Sequence, residues 1–257
     1  MLKKYSSKNI QLALEKSGVK NGDTLFIHSN IGLFGMPEGC NNKNEACDLI
    51  LNSILSVIGN KGTIVVPTYT YSFSKNEIFN YNQKSVCGIF SEFVRNQALS
   101  ERTIDPMFSI SALGHNSKLL TVDISNNSFD QNSFFSRFHQ ITGKICNFNL
   151  NAGSTFVHYI ERVLEVEYRF DKEFSGVIIF KERKYNKKWI TWVRNLNNYS
   201  TNPNFHQLTS EAINKNLFKK INVGNGYLGT ISADDKFNLI KKKLTDYPYF
   251  LTEKGYF

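Results

Sequence analysis

The sequence predicts an α/β fold: a largely parallel central sheet covered by helices, with a β-hairpin decorating the C-terminal third. Three observations predict it. Thr24-Leu25-Phe26-Ile27 and Thr63-Ile64-Val65-Val66 are short apolar runs, the pattern of strands buried on both faces. Between them Ala46, Leu49, Ile50, Ile54, Leu55 and Val57 recur at helical spacing. After residue 176, Val177-Ile178-Ile179-Phe180 and Trp189-Ile190-Thr191-Trp192-Val193 flank a polar stretch, as in an antiparallel hairpin. No repeat and no flexible linker interrupts the chain, so residues 1–257 read as a single domain.

Taken in order, residues 10–16 form an amphipathic helix stopped by Gly18, and Asn21-Gly22-Asp23 turns the chain into the first strand. A glycine-bearing loop over 29–39 follows, then the helix closed by Gly59-Asn60 and a second strand stopped by Pro67. Helix is expected near 88–99, strand over 108–113 closed by Gly114, strand over 145–150, and helix over 155–166. The hairpin is expected to turn through 181–188, with an Asn-rich stretch over 195–204 behind it. A helix over 211–220, a strand pair near 223–232 and a last helix over 234–244, capped by Ser232 and Asp234, complete the reading.

Composition excludes several classes. The chain is 41% hydrophobic and 21% charged with a mean hydropathy of -0.33, which rules out disordered and fibrous proteins. No run of about 18 apolar residues could form a membrane span. Met1-Leu2-Lys3-Lys4 is followed by polar residues rather than an apolar core, so a cytoplasmic location is expected. The net charge of +9 favours polyanions or phosphate-bearing cofactors, but no zinc finger or RNA-binding signature accompanies it, so nucleic acid is not the expected partner. Cys40, Cys47, Cys87 and Cys146 have no metal-site spacing and read as reduced thiols; a covalent role for Cys146 or Cys40 is the lesser alternative. No metal is expected.

Ligands of open α/β sheets bind beyond the carboxyl ends of the strands. His28-Ser29, Pro67-Thr68-Tyr69-Thr70 and Gly153-Ser154-Thr155 all fall there. His158 opens the helix after Ser154, and Glu161 follows it at i+3 on the same face. A carboxylate beside an imidazole fixes its tautomer and raises its basicity, as a general base requires. The competing reading pairs Glu161 with Arg162 or Arg169 and leaves His158 a half-buried helix residue.

Five ordered blocks resemble the aminoglycoside 3-N-acetyltransferase family. They are Gly22-Asp23-Thr24-Leu25-Phe26-Ile27-His28-Ser29 with Gly32 and Gly35; the run from Gly59 to Tyr69; Gly88-Ile89-Phe90-Ser91-Glu92-Phe93-Val94-Arg95; the segment from Arg102 to Ser109; and Gly153-Ser154-Thr155-Phe156-Val157-His158-Tyr159-Ile160-Glu161. The resemblance implies acetyl transfer from acetyl-CoA to an amino group on a sugar, either an aminoglycoside or a surface-glycan precursor carrying a nucleotide. His158 would act as base and Glu161 as its partner, with an ionisation at or above the ordinary imidazole value. It also implies cofactor contacts at His28, Ser29, Gly32, Gly35, Thr68 and Ser109, the Ser109 hydroxyl and the backbone near His28-Ser29 being oxyanion donors. Asp105 at the mouth of the site, with Tyr69, would bind the acceptor. Asp105 and Phe108 stand where drug-modifying members commonly have His, and Ser154-Thr155-Phe156 where they tend to have Asn-Thr-Ser. A catalytically inactive basic module for polyanionic glycan or nucleic acid is the alternative from a different class.

Overall fold

The computed structural model describes residues 4–256; residues 1–3 of the amino-terminal segment discussed above lie outside it. Seven strands form the main sheet in the order β4 (Glu101–Arg102), β5 (Ile110–Gly114), β2 (Thr63–Pro67), β1 (Thr24–Ser29), β6 (Lys144–Phe148), β10 (Gly226–Ser232) and β9 (Lys219–Val223). The parallel arrangement is confined to the centre, where β1 pairs with β2 and with β6. The flanks are antiparallel: β5 on β2, β4 on β5, β10 on β6 and β9 on β10. Parallel β1 and β2 need a crossover, which α2 supplies, whereas β9 and β10 are joined by a tight turn at Gly224-Asn225 and can only be antiparallel.

Two apolar layers sandwich the sheet, and the strand alternation assigns residues to them. Leu25, Ile27, Ile64, Val66, Cys146 and Phe148 face the layer built with α1 (Ser7–Lys16) and α2 (Lys43–Ile58). Phe26, Val65 and Ile145 face the other, built with α5 (Phe134–Gln140), α6 (Phe156–Val163), α7 (His206–Asn214) and α8 (Ala233–Asp246). By the same alternation His28 and Asn147, directly opposite one another, lie on this second face at the carboxyl ends of β1 and β6. The remaining helices, α3 (Ile89–Arg95) and α4 (Ser117–Thr121), pack against β5.

A second sheet holds β3 (Phe79–Asn80), β7 (Arg169–Phe180) and β8 (Arg183–Arg194). The hairpin turn is not residues 181–188 but Lys181-Glu182 alone, both left-handed at φ 49° and 62°. That is the two-residue geometry matching strand twist, and Arg183 to Lys188 continue as paired strand with their charges in solvent. Two helices are also shorter than expected. Left-handed Glu165 (φ 51°) follows α6, and left-handed Asn216 (φ 55°) follows α7, which frees Lys219-Lys220 to enter β9. The last helix starts as read, with the Ser232 hydroxyl accepting the Asp235 N–H at 2.9 Å. Among the described residues no helix is long and apolar enough to cross a membrane.

Candidate active site

Beyond β6 the chain turns through residues 149–155 before entering α6. The Asn147 side-chain amide ties this turn down by donating to the carbonyls of Asn151 and of Gly153, the latter at 2.9 Å. Backbone bonds of 3.0 Å from Val157 to Ser154 and from His158 to Thr155 then wind the first helical turn. His158 and Glu161 leave this turn on the same face. The His158 Nδ1 lies 2.7 Å from Glu161 Oε2, with the carboxylate side chain 1% exposed and the imidazole 19% exposed. An ionised carboxylate only accepts, so Nδ1 carries the proton and donates, leaving Nε2 to accept one.

The competing pairing is present as well, and it supplements the first. Arg169 Nε sits 2.8 Å from the same Glu161 Oε2, and the Tyr168 hydroxyl donates to Oε1 at 2.9 Å. Arg162 turns outward to Asp171 instead. Burial alone would push the Glu161 carboxyl up, yet His158, Arg169 and Tyr168 together hold it below the ordinary carboxylate range. His158 departs from expectation in the opposite sense to the one read from sequence. Burial first and the Arg169 guanidinium second lower its ionisation below the ordinary imidazole value, outweighing the raising effect of Glu161. Both effects favour the neutral imidazole.

Asp105 is not at the mouth of the site. It is 3% exposed, and its Oδ1 accepts the backbone N–H groups of Met107 (2.7 Å) and Phe108 (2.8 Å), closing the turn after Pro106. Thr68 and Ser109 are likewise interior: the Ser109 hydroxyl donates to the Thr68 carbonyl at 2.5 Å, and Arg102 Nη2 donates to that carbonyl at 2.7 Å. With its proton directed at the Thr68 carbonyl, Ser109 has no second proton to offer an oxyanion. Tyr69 lies in an aromatic wall, its ring 5.2 Å from that of Phe108, which packs at a tilt on Phe129, which in turn meets His158 edge-on. Phe108 thus supplies part of that wall.

The cofactor residues read from sequence divide by strand face. Ser29, Gly32 and Gly35 line a cleft of about 500 Å³ together with Met36, Lys43 and Ile89. Gly35 is required there: its φ is 86°, and a Cβ would fall 2.9 Å from Asn225 Nδ2. Apolar side chains with one lysine suit a pantetheine arm and its phosphates. His28 faces the opposite layer. Its ring packs 4.3 Å from Phe26, both ring nitrogens are enclosed without partners, and burial followed by the charge of Lys236 pushes its ionisation down to about 3. Neither thiol alternative has support from geometry: Cys146 lies in the layer away from His158, and burial raises both Cys146 and Cys40 above the ordinary thiol value.

One buried charged residue near this turn escaped the sequence reading altogether. Lys236, in the first turn of α8, is fully buried, and its Nζ donates to Ser154 Oγ at 2.5 Å. A signal was present, since Lys236, Leu239, Ile240 and Leu244 form one helical stripe that is otherwise apolar.

A helix histidine hydrogen-bonded to a buried carboxylate is an arrangement that suits proton transfer. The family model for aminoglycoside 3-N-acetyltransferase matches residues 26–245, so the chain belongs to that family and is an N-acetyltransferase using acetyl-CoA. Solved structures agree on the fold. It is similar to aminoglycoside acetyltransferase AAC-IIIb in a binary complex with CoASH (14% identity, TM-score 0.80, 94% of this chain and 96% of that one). It is similar also to AAC-VIa bound to sisomicin (17% identity, TM-score 0.80, covering 95% and 98%) and to the YokD protein of Bacillus subtilis (16% identity, TM-score 0.76, covering 94% and 99%). A comparison with curated protein sequences finds no match.

Proposed function

We propose that this enzyme transfers acetyl from acetyl-CoA directly to the amine of an amino sugar, with His158 as general base. The observation that carries the reading is the 2.7 Å contact of His158 Nδ1 with the buried Glu161 carboxylate, which leaves Nε2 as the acceptor. An ammonium has no lone pair, so Nε2 takes its proton, the neutral nitrogen attacks the thioester carbonyl, and collapse of the tetrahedral adduct breaks the C–S bond, the second proton of the nitrogen passing to the departing CoA thiolate. Glu161 offsets the charge that develops on the imidazole. The pantetheine arm would occupy the cleft of Ser29, Gly32, Gly35 and Ile89, with Lys43 towards the phosphates.

For the acceptor, the net charge of +9 favours an anionic molecule, such as a nucleotide-linked amino sugar of a surface glycan, over a polycationic aminoglycoside. Asp105, the carboxylate read as an ammonium contact, is occupied by backbone N–H groups. The aminoglycoside reading rests on the family itself. Incubation with acetyl-CoA and a panel of nucleotide-linked amino sugars and aminoglycosides, following thiol release, tests both. Transfer to the nucleotide sugars that outpaces transfer to the drugs is expected, and the reverse order returns the enzyme to antibiotic modification. No transfer to any amine, with thermal stabilisation by an oligonucleotide but not by CoA, would support the inactive binding module instead.

A further inference from the structure

Lys236 is a buried ammonium whose hydrogen-bond partner is a neutral hydroxyl, an arrangement that costs stability and requires a reason. Ser154, which it grips, starts the turn that delivers His158 four residues later, roughly 6 Å along the helix axis. On the sheet below lie His28, with two unpartnered ring nitrogens, and Asn147, whose Oδ1 is also enclosed without a partner.

We propose that Lys236 is a positioning residue of the transfer site: anchored on Ser154, it fixes the first turn of α6 and places a positive charge beside His158. This rests on His158 being the base. The groups that face His158 are Glu161 on its own helix, Arg169 on β7 and Lys236 on α8. From α5, His139 points to Phe156, Tyr159 and Asp234. Two cations thus oppose one carboxylate, and Lys236 is the cation that no carboxylate neutralises. Its charge disfavours the imidazolium, so His158 stays a free base at lower pH. Burial lowers the ionisation of Lys236 itself to about 7, so its charge, and its effect on His158, fade above neutrality.

The test is NMR titration of His158 in Lys236→Met and Lys236→Arg, alongside the pH dependence of acetyl transfer. In Lys236→Met the His158 midpoint and the acid limb of the rate should both move up by about one pH unit. Lys236→Arg should restore both towards wild type. Unmoved midpoints in folded Lys236→Met overturn the inference, even where turnover falls through disorder of α6. If Lys236→Met does not fold, wild-type protein decides: His158 resonances should show a second inflection where the Lys236 side chain titrates, and a single inflection overturns the proposal. His158→Ala separates the two ideas. Retained turnover there removes the base assignment, whereas loss of turnover with an unmoved His158 midpoint in Lys236→Met removes only the role of Lys236.

Discussion

Glu161 and Asp105 are both buried carboxylates near the same end of the sheet, and their surroundings differ in kind. Glu161 is met by an imidazole, a guanidinium and a phenol, and its ionised form is favoured. Asp105 is met only by neutral groups: it accepts two backbone N–H groups, and the Ser128 hydroxyl and the Trp189 indole lie nearby. Burial outweighs them and raises its ionisation to about 6. A carboxylate that must offset a positive charge during reaction needs charged neighbours in advance, and one that closes a turn does not. On the function proposed above, the difference gives Glu161 a part in the chemistry and Asp105 a part in the scaffold, although each occupies a family block.

The largest effect should come from the base that Glu161 holds. His158→Ala is expected to lower turnover by about 10²–10⁴-fold while acetyl-CoA affinity stays within a few-fold, measured by steady-state kinetics and isothermal titration. Turnover that survives in the folded variant would dissolve the contrast between the two carboxylates. In wild-type enzyme the acid limb of the rate should fall below the ordinary imidazole value of 6.5. His158 is lowered on folding, so its contribution to stability is present above 6.5 and is lost as pH falls through its folded value.

Glu161→Gln comes next. It keeps the shape but removes the charge, so turnover should drop less than in His158→Ala, and the acid limb should move to still lower pH. Arg169 is left buried without its anion, which should cost about 3–5 kcal/mol, read by chemical denaturation. A Glu161→Gln enzyme with unchanged stability and an unchanged pH profile would mean that the carboxylate is as passive as Asp105.

Much of the fold was legible because it rests on local pattern: β1, β2, α2 and α8 follow from apolar runs, helical spacing and the Ser232 cap. His158 with Glu161 was legible for the same reason, since i+3 on a helix fixes proximity. What failed depended on direction or on distant partners. His28 and Ser29 are neighbours in sequence, but strand alternation sends them to opposite faces, so only Ser29 reaches the cleft. Ser109 bonds a carbonyl 41 positions away and Lys236 a hydroxyl 82 positions away, pairings that no spacing rule reveals. The sign of the His158 shift failed first because burial of the ring is set by tertiary packing that a helix pattern does not reveal, and second because the Arg169 charge adds to it.

The smallest effect should belong to Asp105→Asn. An amide oxygen can still accept from Met107 and Phe108, and the Trp189 N–H is already bonded to Ser128 at 2.9 Å, so the turn should survive. Turnover and both Michaelis constants should then stay within about threefold of wild type. A Michaelis constant raised tenfold for the acceptor alone would return Asp105 to the binding surface. Stability supplies the sharper signature. The folded value near 6 lies above the ordinary 3.8, so the folded state holds the proton more tightly. The stability this contributes is present below 3.8 and is lost as pH rises through 6. Asparagine cannot ionise and suffers no such loss. The variant should therefore gain on wild type as pH climbs from 5 to 8, by about 1.4 kcal/mol, visible as a melting temperature gap that widens with pH. A gap that narrows instead would mean that the Asp105 anion is stabilised in the fold, as Glu161 is, and the contrast between the two carboxylates would be lost.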